Sequence, residues 1–260
     1  MNYFVLLKMV PDTVEELEVG PDGKSLDNDR VRLKLSDTDE HALEQALLLK
    51  EKCGGRVTVV TLEAPEVDEA LFTALAKGAD RAVRLSIEQA KLGTVATAQV
   101  FVSFLTAGTA TLAPATLILS GSQANDDLEG ELAPYVAEAL RLPYLGVVGG
   151  VSLKDGRNEA LVLKEFSGGV RGEYELPLPA VLGVQAAEKP PRYVPVAKVR
   201  GFTKSGKIET ASVRAPARPA VLEVNRMHKP EVAGRAQMLE GSAEEIAGRL
   251  ADLLAERGII

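Results

Sequence analysis

Thr116-Leu117-Ile118-Leu119-Ser120-Gly121-Ser122-Gln123-Ala124-Asn125-Asp126-Asp127 decides how the chain is read. The first five residues carry no charge and are built around Leu and Ile. That composition suits a strand buried on both faces, as in a parallel sheet covered by helices. Gly121 ends the run and lets backbone approach a ligand closely, and a polar turn follows. Leu128, Leu132, Val136 and Leu140 then recur at i+4 steps, the signature of a helix. In an open parallel sheet, ligands bind beyond the carboxyl ends of the strands. The turn from Gly121 to Asp127 therefore marks a candidate site.

The same alternation extends toward the N-terminus. Tyr3–Val10 reads as a first strand, stopped by Pro11-Asp12. A polar excursion over 13–36 contains a Pro21-Asp22-Gly23 turn. Ser36-Asp37-Thr38-Asp39-Glu40 offers overlapping helix N-caps, among them Ser36 with Asp39. The helix after it faces Ala42, Leu43, Ala46 and Leu47 inward and stops at Gly54-Gly55. Arg56–Leu62 is a β-branched strand. Glu66–Lys77 is an amphipathic helix closed by Gly78, and Arg81–Leu85 is a strand. Residues 93–105 form a helix apolar nearly all round, either deeply buried or at a subunit contact. This order implies βαβ crossovers in a parallel sheet.

Beyond Pro143 the pattern changes. Gly146–Leu153, Ala160–Phe166 and Val170–Leu176 read as strands turned at Asp155-Gly156 and Gly168-Gly169, antiparallel and at one edge. Leu178–Val184 returns as a buried strand. Residues 187–229 are rich in Pro, Lys and Arg without periodicity and read as an extended arm, which a partner subunit would explain. A last helix runs from about Ser242 to Glu256.

Thirty basic against 37 acidic residues, a net charge of −7, argue against nucleic acid as a partner. The single Cys53 excludes an internal disulfide framework and multi-cysteine metal sites. No apolar run approaches the roughly 18 residues that span a bilayer, and no cleavage-site pattern follows the N-terminus; the expectation is a soluble, cytoplasmic protein without membrane segments. His41 and His228 stand near no second ligand or nucleophile and read as surface or capping residues. There is no P-loop and no Gly-x-Gly-x-x-Gly. No catalytic residue and no metal set is expected.

Six stretches together resemble the β subunits of electron-transfer flavoproteins. They are Leu7–Asp12, Ala42–Glu51, Ala74–Arg81, Gly121–Asp127, Leu178–Val181 and Pro191-Arg192-Tyr193, in order along almost the whole chain. The resemblance implies an α/β fold of adenine-nucleotide-binding type over 1–186. It implies a recognition loop and C-terminal arm over 187–260, with the terminal helix packing on a larger α subunit. It further implies that the α subunit holds most of the redox FAD and that this subunit carries AMP, or a second FAD as in electron-bifurcating relatives. Electrons would pass from acyl-CoA or related dehydrogenases, through FAD, to a quinone oxidoreductase.

Carried over position by position, the nucleotide site comprises Leu6, Ser36, Asp37, Thr38, Asp39, Leu62, Gly121, Ser122, Gln123, Ala124, Asn125, Asp126, Gly130, Glu131 and Leu132. Thr13 and Thr38 stand where some relatives face the flavin with aromatics. Thr94 and Thr97 resemble a pair in bifurcating relatives and equally read as helix caps. Glu129 and Glu131 depart from the family's small or amide residues near the phosphate, and outward-pointing acids complementing a helix dipole suit them best. Arg192, Tyr193 and Val196 would form the docking loop, with Val196 as apolar anchor. Two other readings stay open: a stand-alone adenine-nucleotide sensor, and a nucleotide hydrolase using Asp126 and Asp127 with Mg²⁺.

Overall fold

A computed structural model of the chain describes residues 1–27, 31–107, 112–127, 129–154, 158–214, 216, 224–230, 234, 236 and 238–260. Leu128 and the Asp155-Gly156 turn lie outside the described residues. Two compact units emerge, Met1–Arg226 and Met227–Ile260.

The first unit is built on a nine-stranded sheet. Its centre is parallel: β1 (Asn2–Leu6) lies between β4 (Arg56–Glu63) and β6 (Thr116–Gly121). Strand β5 (Arg81–Glu88) continues the sheet beyond β4, and β10 (Ala180–Val184) continues it beyond β6. On the far side of β10 come β7 (Tyr144–Leu153), β8 (Glu159–Glu165) and β9 (Arg171–Pro177), the last two antiparallel to their neighbours. The sequence-based expectation of an α/β protein with antiparallel edge strands is met.

The opening stretch shows why the sheet is covered on both sides. Leu117 and Leu119 belong to one core cluster, with Leu43, Leu47 and Leu71 of helices α1 (Asp37–Cys53) and α2 (Val67–Lys77). Ile118, between them, belongs to the other, with Phe101 and Val136 of helices α3 (Thr94–Leu105) and α4 (Leu132–Leu140). Successive strand residues point to opposite faces, so a strand apolar at every position needs helices on both. Helix α3 has no exposed residue and packs on α4, as its all-round apolar character requires.

Two expectations are corrected. The apolar run Tyr3–Val10 is not one strand. Leu7 donates its N–H to Val60 O, and the chain then leaves the sheet. Residues Met9–Pro11 form β2, which pairs antiparallel with a short β3 (Leu33–Leu35) in a separate two-stranded ribbon. The polar excursion between them does turn at Gly23, which takes φ 63°. Residues 187–229 are not merely an extended arm either. Val196–Ser205 form helix α5, which packs on α2, and Ile208–Ala211 form β11, which adds to β5 in parallel. Arg81 secures that edge by gripping both carboxylate oxygens of Glu209 at 2.9 and 2.6 Å.

The second unit contains helix α6 (Ala243–Glu256). Its start is a capping box: the Glu245 amide donates to Ser242 Oγ at 3.3 Å, and the Ser242 amide donates to Glu245 Oε2 at 2.8 Å.

Candidate functional site

From β1 the chain moves to β4 and β5 on one side, then crosses to β6 and β10 on the other. The reversal falls between β1 and β6, and at such a switch point the following loops diverge and leave a crevice. Three segments meet at the carboxyl ends of these strands: Leu6–Lys8, Gly121–Asp127, and Ser36–Asp39 at the N-terminus of α1.

Asp39 ties them together. Its side chain is 3% exposed; Oδ2 accepts from the Lys8 amide at 2.8 Å and Oδ1 from the Gly121 amide at 2.6 Å. One carboxylate from α1 thus satisfies the free amides of both strand ends, which neither strand could satisfy itself. Burial pushes its carboxyl up to about 7, against the Gly121 and Lys8 amides and the Lys8 ammonium, which favour the charged form. Ser36 occupies the N-cap position, but its hydroxyl lies 3.2 Å from Thr38 Oγ1 and caps no amide. Thr38 Oγ1 donates to Gln123 O at 2.6 Å and closes α1 onto the Gly121–Asp127 loop.

Two glycines are required by contact. A Cβ on Gly121 would overlap Thr38 Oγ1 and stand 2.8 Å from Asp39 Oδ1. A Cβ on Gly130 would stand 2.6 Å from Ser122 O, and Gly130 also takes φ 64°. Gly121 thus lets the loop pack directly on α1, and Gly130 lets its far end turn back onto Ser122.

A cleft of about 310 Å³ opens beside this knot, lined by Thr38, Gln123, Ala124, Asn125 and Gln185. Gln185 escapes sequence reading. It follows β10, and Ser122 Oγ lies 2.5 Å from its Oε1. Its signal was only positional, one residue past the end of a strand adjacent to β6. Lys8, just past the carboxyl end of β1, pairs its ammonium with Asp126 at 2.7 Å.

The remaining site residues divide by depth. Leu6, Leu62 and Leu132 are core side chains of the α3–α4 face, so Leu6 and Leu62 offer the crevice backbone only. Asp37 turns outward to Lys34 at 3.0 Å. Glu129 is exposed and Glu131 half-buried at the α4 N-terminus, consistent with acids directed away from the loop interior. Thr13 is exposed on the turn after β2. Thr94 and Thr97 do not cap α3: Gly93 holds the N-cap, and Thr97 is buried. Tyr193 and Val196 are 83% and 61% exposed, whereas Arg192 is turned in to Glu44 and Glu51. His41 is neither a cap nor a free surface group, because its Nδ1 accepts from the Ala187 amide at 3.2 Å.

Asp126 is paired with Lys8, and Asp127, 5% exposed, accepts from the Gly130 amide at 3.2 Å. Among the described residues no group of three or more His, Cys, Asp or Glu could hold a metal. The Mg²⁺-hydrolase reading thus loses its two carboxylates to structural roles. Among the described residues, no helix is long and apolar enough to cross a membrane.

The fold and the crevice define a doubly wound α/β protein with its candidate ligand site at the topological switch point. Residues 25–222 match the model of the electron transfer flavoprotein domain. The chain is 32% identical to the electron transfer flavoprotein subunit beta of Methylophilus methylotrophus, covering 98% of both chains. It is 31% identical to the subunit of the same name in Clostridium acetobutylicum, over the full length of each. The caffeyl-CoA reductase-Etf complex subunit CarD of Acetobacterium woodii is 29% identical, again end to end. The chain belongs to the electron transfer flavoprotein family, on its β-subunit side.

Proposed function

We propose that this chain is the smaller half of a cytoplasmic heterodimer that carries electrons without making or breaking substrate bonds. A larger α subunit holds most of the redox FAD, and this subunit holds AMP at its switch point. The heterodimer takes electrons from acyl-CoA or related dehydrogenases and passes them to a quinone oxidoreductase. The observation that carries the reading is the end-to-end match to β subunits, coinciding with a crevice at the ends of β1 and β6.

The residues present fit an adenine nucleotide. The Gln123, Asn125 and Gln185 amides border the open cleft, and beside it Gly121 lets the loop pack directly on α1 while Gly130 lets it turn back onto Ser122. Phosphate oxygens would be met by backbone N–H groups at the start of α4, since the nearby side chains Glu129 and Glu131 are acids. Asp39 and Thr38 hold the loop in shape, and Lys8 supplies the nearby positive charge. FAD, when bound, supplies the redox chemistry; the chain contributes position and electrostatics. Thr13 and Thr38, both polar, would face it from this side.

Coexpression with an α subunit from the same source tests this. The expected result is a yellow heterodimer with close to one FAD. A colourless β chain that stays monomeric beside every α subunit of its source would overturn the reading.

A further inference from the structure

Helix α1 carries a polar stripe on a buried helix. His41, Glu44, Gln45, Glu51 and Lys52 fall at i, i+3, i+4, i+10 and i+11, which share one side of a helix. Glu44 is 3% exposed and Gln45 fully buried, positions that ordinarily hold apolar side chains. All five bond to one segment, the chain just after β10, and Gln45 Nε2 also donates to Val151 O at 3.2 Å. The Ala187 amide donates to His41 Nδ1, the Glu188 amide to Gln45 Oε1 at 3.1 Å, and the Arg192 amide to Glu44 Oε2 at 3.0 Å. Lys52 pairs with Glu188 at 2.6 Å.

The segment ends in a clamp. The Arg192 guanidinium donates through Nε and Nη2 to the Glu44 carboxylate at 2.8–3.1 Å and through Nη1 to Glu51 at 2.6 Å. Four residues later Val196 begins α5, which is seated on α2. Tyr193–Val196 is therefore a short span fixed at both ends, with Tyr193 and Val196 left exposed and Val194 half-buried. Fixing a docking segment before contact removes much of the ordering cost of binding. The same helix places Thr38 and Asp39 at the crevice, so the span and the crevice are referred to one rigid element.

We propose that Arg192 is a positioning residue: held by Glu44 and Glu51, it keeps residues 185–192 on α1 and presents Tyr193 and Val196 to a dehydrogenase in one conformation. The proposal rests on the reading of Tyr193 and Val196 as docking residues.

The test uses the FAD-loaded heterodimer with an acyl-CoA dehydrogenase from the same source, measuring KM for the flavoprotein and kcat separately. Arg192→Ala is expected to raise KM about tenfold with kcat little changed. Arg192→Lys, which cannot grip both acids, should fall between. Glu51→Gln, at an exposed acid, gives a smaller rise in KM and guards against a variant that fails to fold. Amide exchange should quicken at Ala187, Glu188, Lys189 and Arg192 while α1 keeps its protection. Unchanged KM in Arg192→Ala, with a raised KM in a parallel Val196→Ala variant, would overturn the proposal and leave the docking reading intact. Unchanged KM in both would bring down the docking reading and the proposal with it. A collapse of kcat with exchange quickening throughout α1 would make Arg192 merely structural, and would also overturn it.

Discussion

Gly121→Ala is expected to destabilise the protein by about 3 kcal/mol or more and to cost it any nucleotide held at the switch point. The residue is not special for its backbone angles; it is special for its neighbours. The added methyl would overlap Thr38 Oγ1 and stand 2.8 Å from both Thr38 Cβ and Asp39 Oδ1. Neither neighbour is free to yield. Thr38 Oγ1 is committed to Gln123 O, and Asp39 Oδ1 to the amide of Gly121 itself. Moving them opens the joint between α1, β1 and β6, and the buried carboxylate then loses its amide donors. The neighbours' involvement makes the effect non-additive. Thr38→Gly removes two of the three clashes, so the double variant should be more stable than the sum of the singles. Urea unfolding of all four proteins measures this, and strict additivity would contradict the account.

Asp39 produces the second large effect, in the pH dependence of stability. Burial raises its carboxyl from 3.8 to about 7 in the folded chain. Between those values the folded state binds a proton that the unfolded state has released, so stability falls as pH rises. The contribution is fully present below about pH 4, is lost progressively toward pH 7, and is flat above. At about 1.4 kcal/mol per pH unit, the loss is about 4 kcal/mol. Asp39→Asn carries no titration. It retains one acceptor and turns an NH₂ toward an amide donor, a penalty independent of pH. The difference in unfolding free energy, wild type minus Asp39→Asn, should therefore shrink by that amount between pH 4 and 7.5. Carboxylates such as Glu51, held low by its hydrogen bond to Arg192, act in the opposite sense and cancel in the difference. Parallel curves for the two proteins would contradict the assignment.

The fold's centre was readable because its strands carry aliphatic residues at successive positions with almost no charge between them. Such runs as Thr116–Ser120 and Val57–Leu62 are covered on both faces, and Gly121 marks where the first of them leaves the sheet. The parts that were not readable depend on distant partners. Tyr3–Val10 is one apolar run shared between two sheets, and its break at Leu7 is set by the pairing of β2 with β3. Residues 196–211 look irregular because α5 has Gly201 in its interior and β11 is four residues long; contacts with α2, β5 and Arg81 hold them.

At the site, Gly121 and the polar turn after it were legible from residue type, whereas Asp39 entered only through the resemblance and its role as a buried link was not legible. An acid in the first turn of a helix ordinarily complements the helix dipole at the surface. Here the turn is driven into the sheet, and the same carboxylate becomes a buried link. Glu44 and Gln45 were hidden for a similar reason. The helix was expected to face Ala42, Leu43, Ala46 and Leu47 inward, yet every residue from 42 to 49 is buried, because the segment after β10 covers the polar side. Arg192, expected to touch a partner, is the residue that makes this cover.

Acid extraction of the purified heterodimer, followed by mass spectrometry and quantitation of the released nucleotides, tests the central claim most directly. The account predicts one FAD and one AMP for each pair of subunits. Release of one FAD with no second adenine nucleotide would leave the switch-point crevice without a ligand and contradict it.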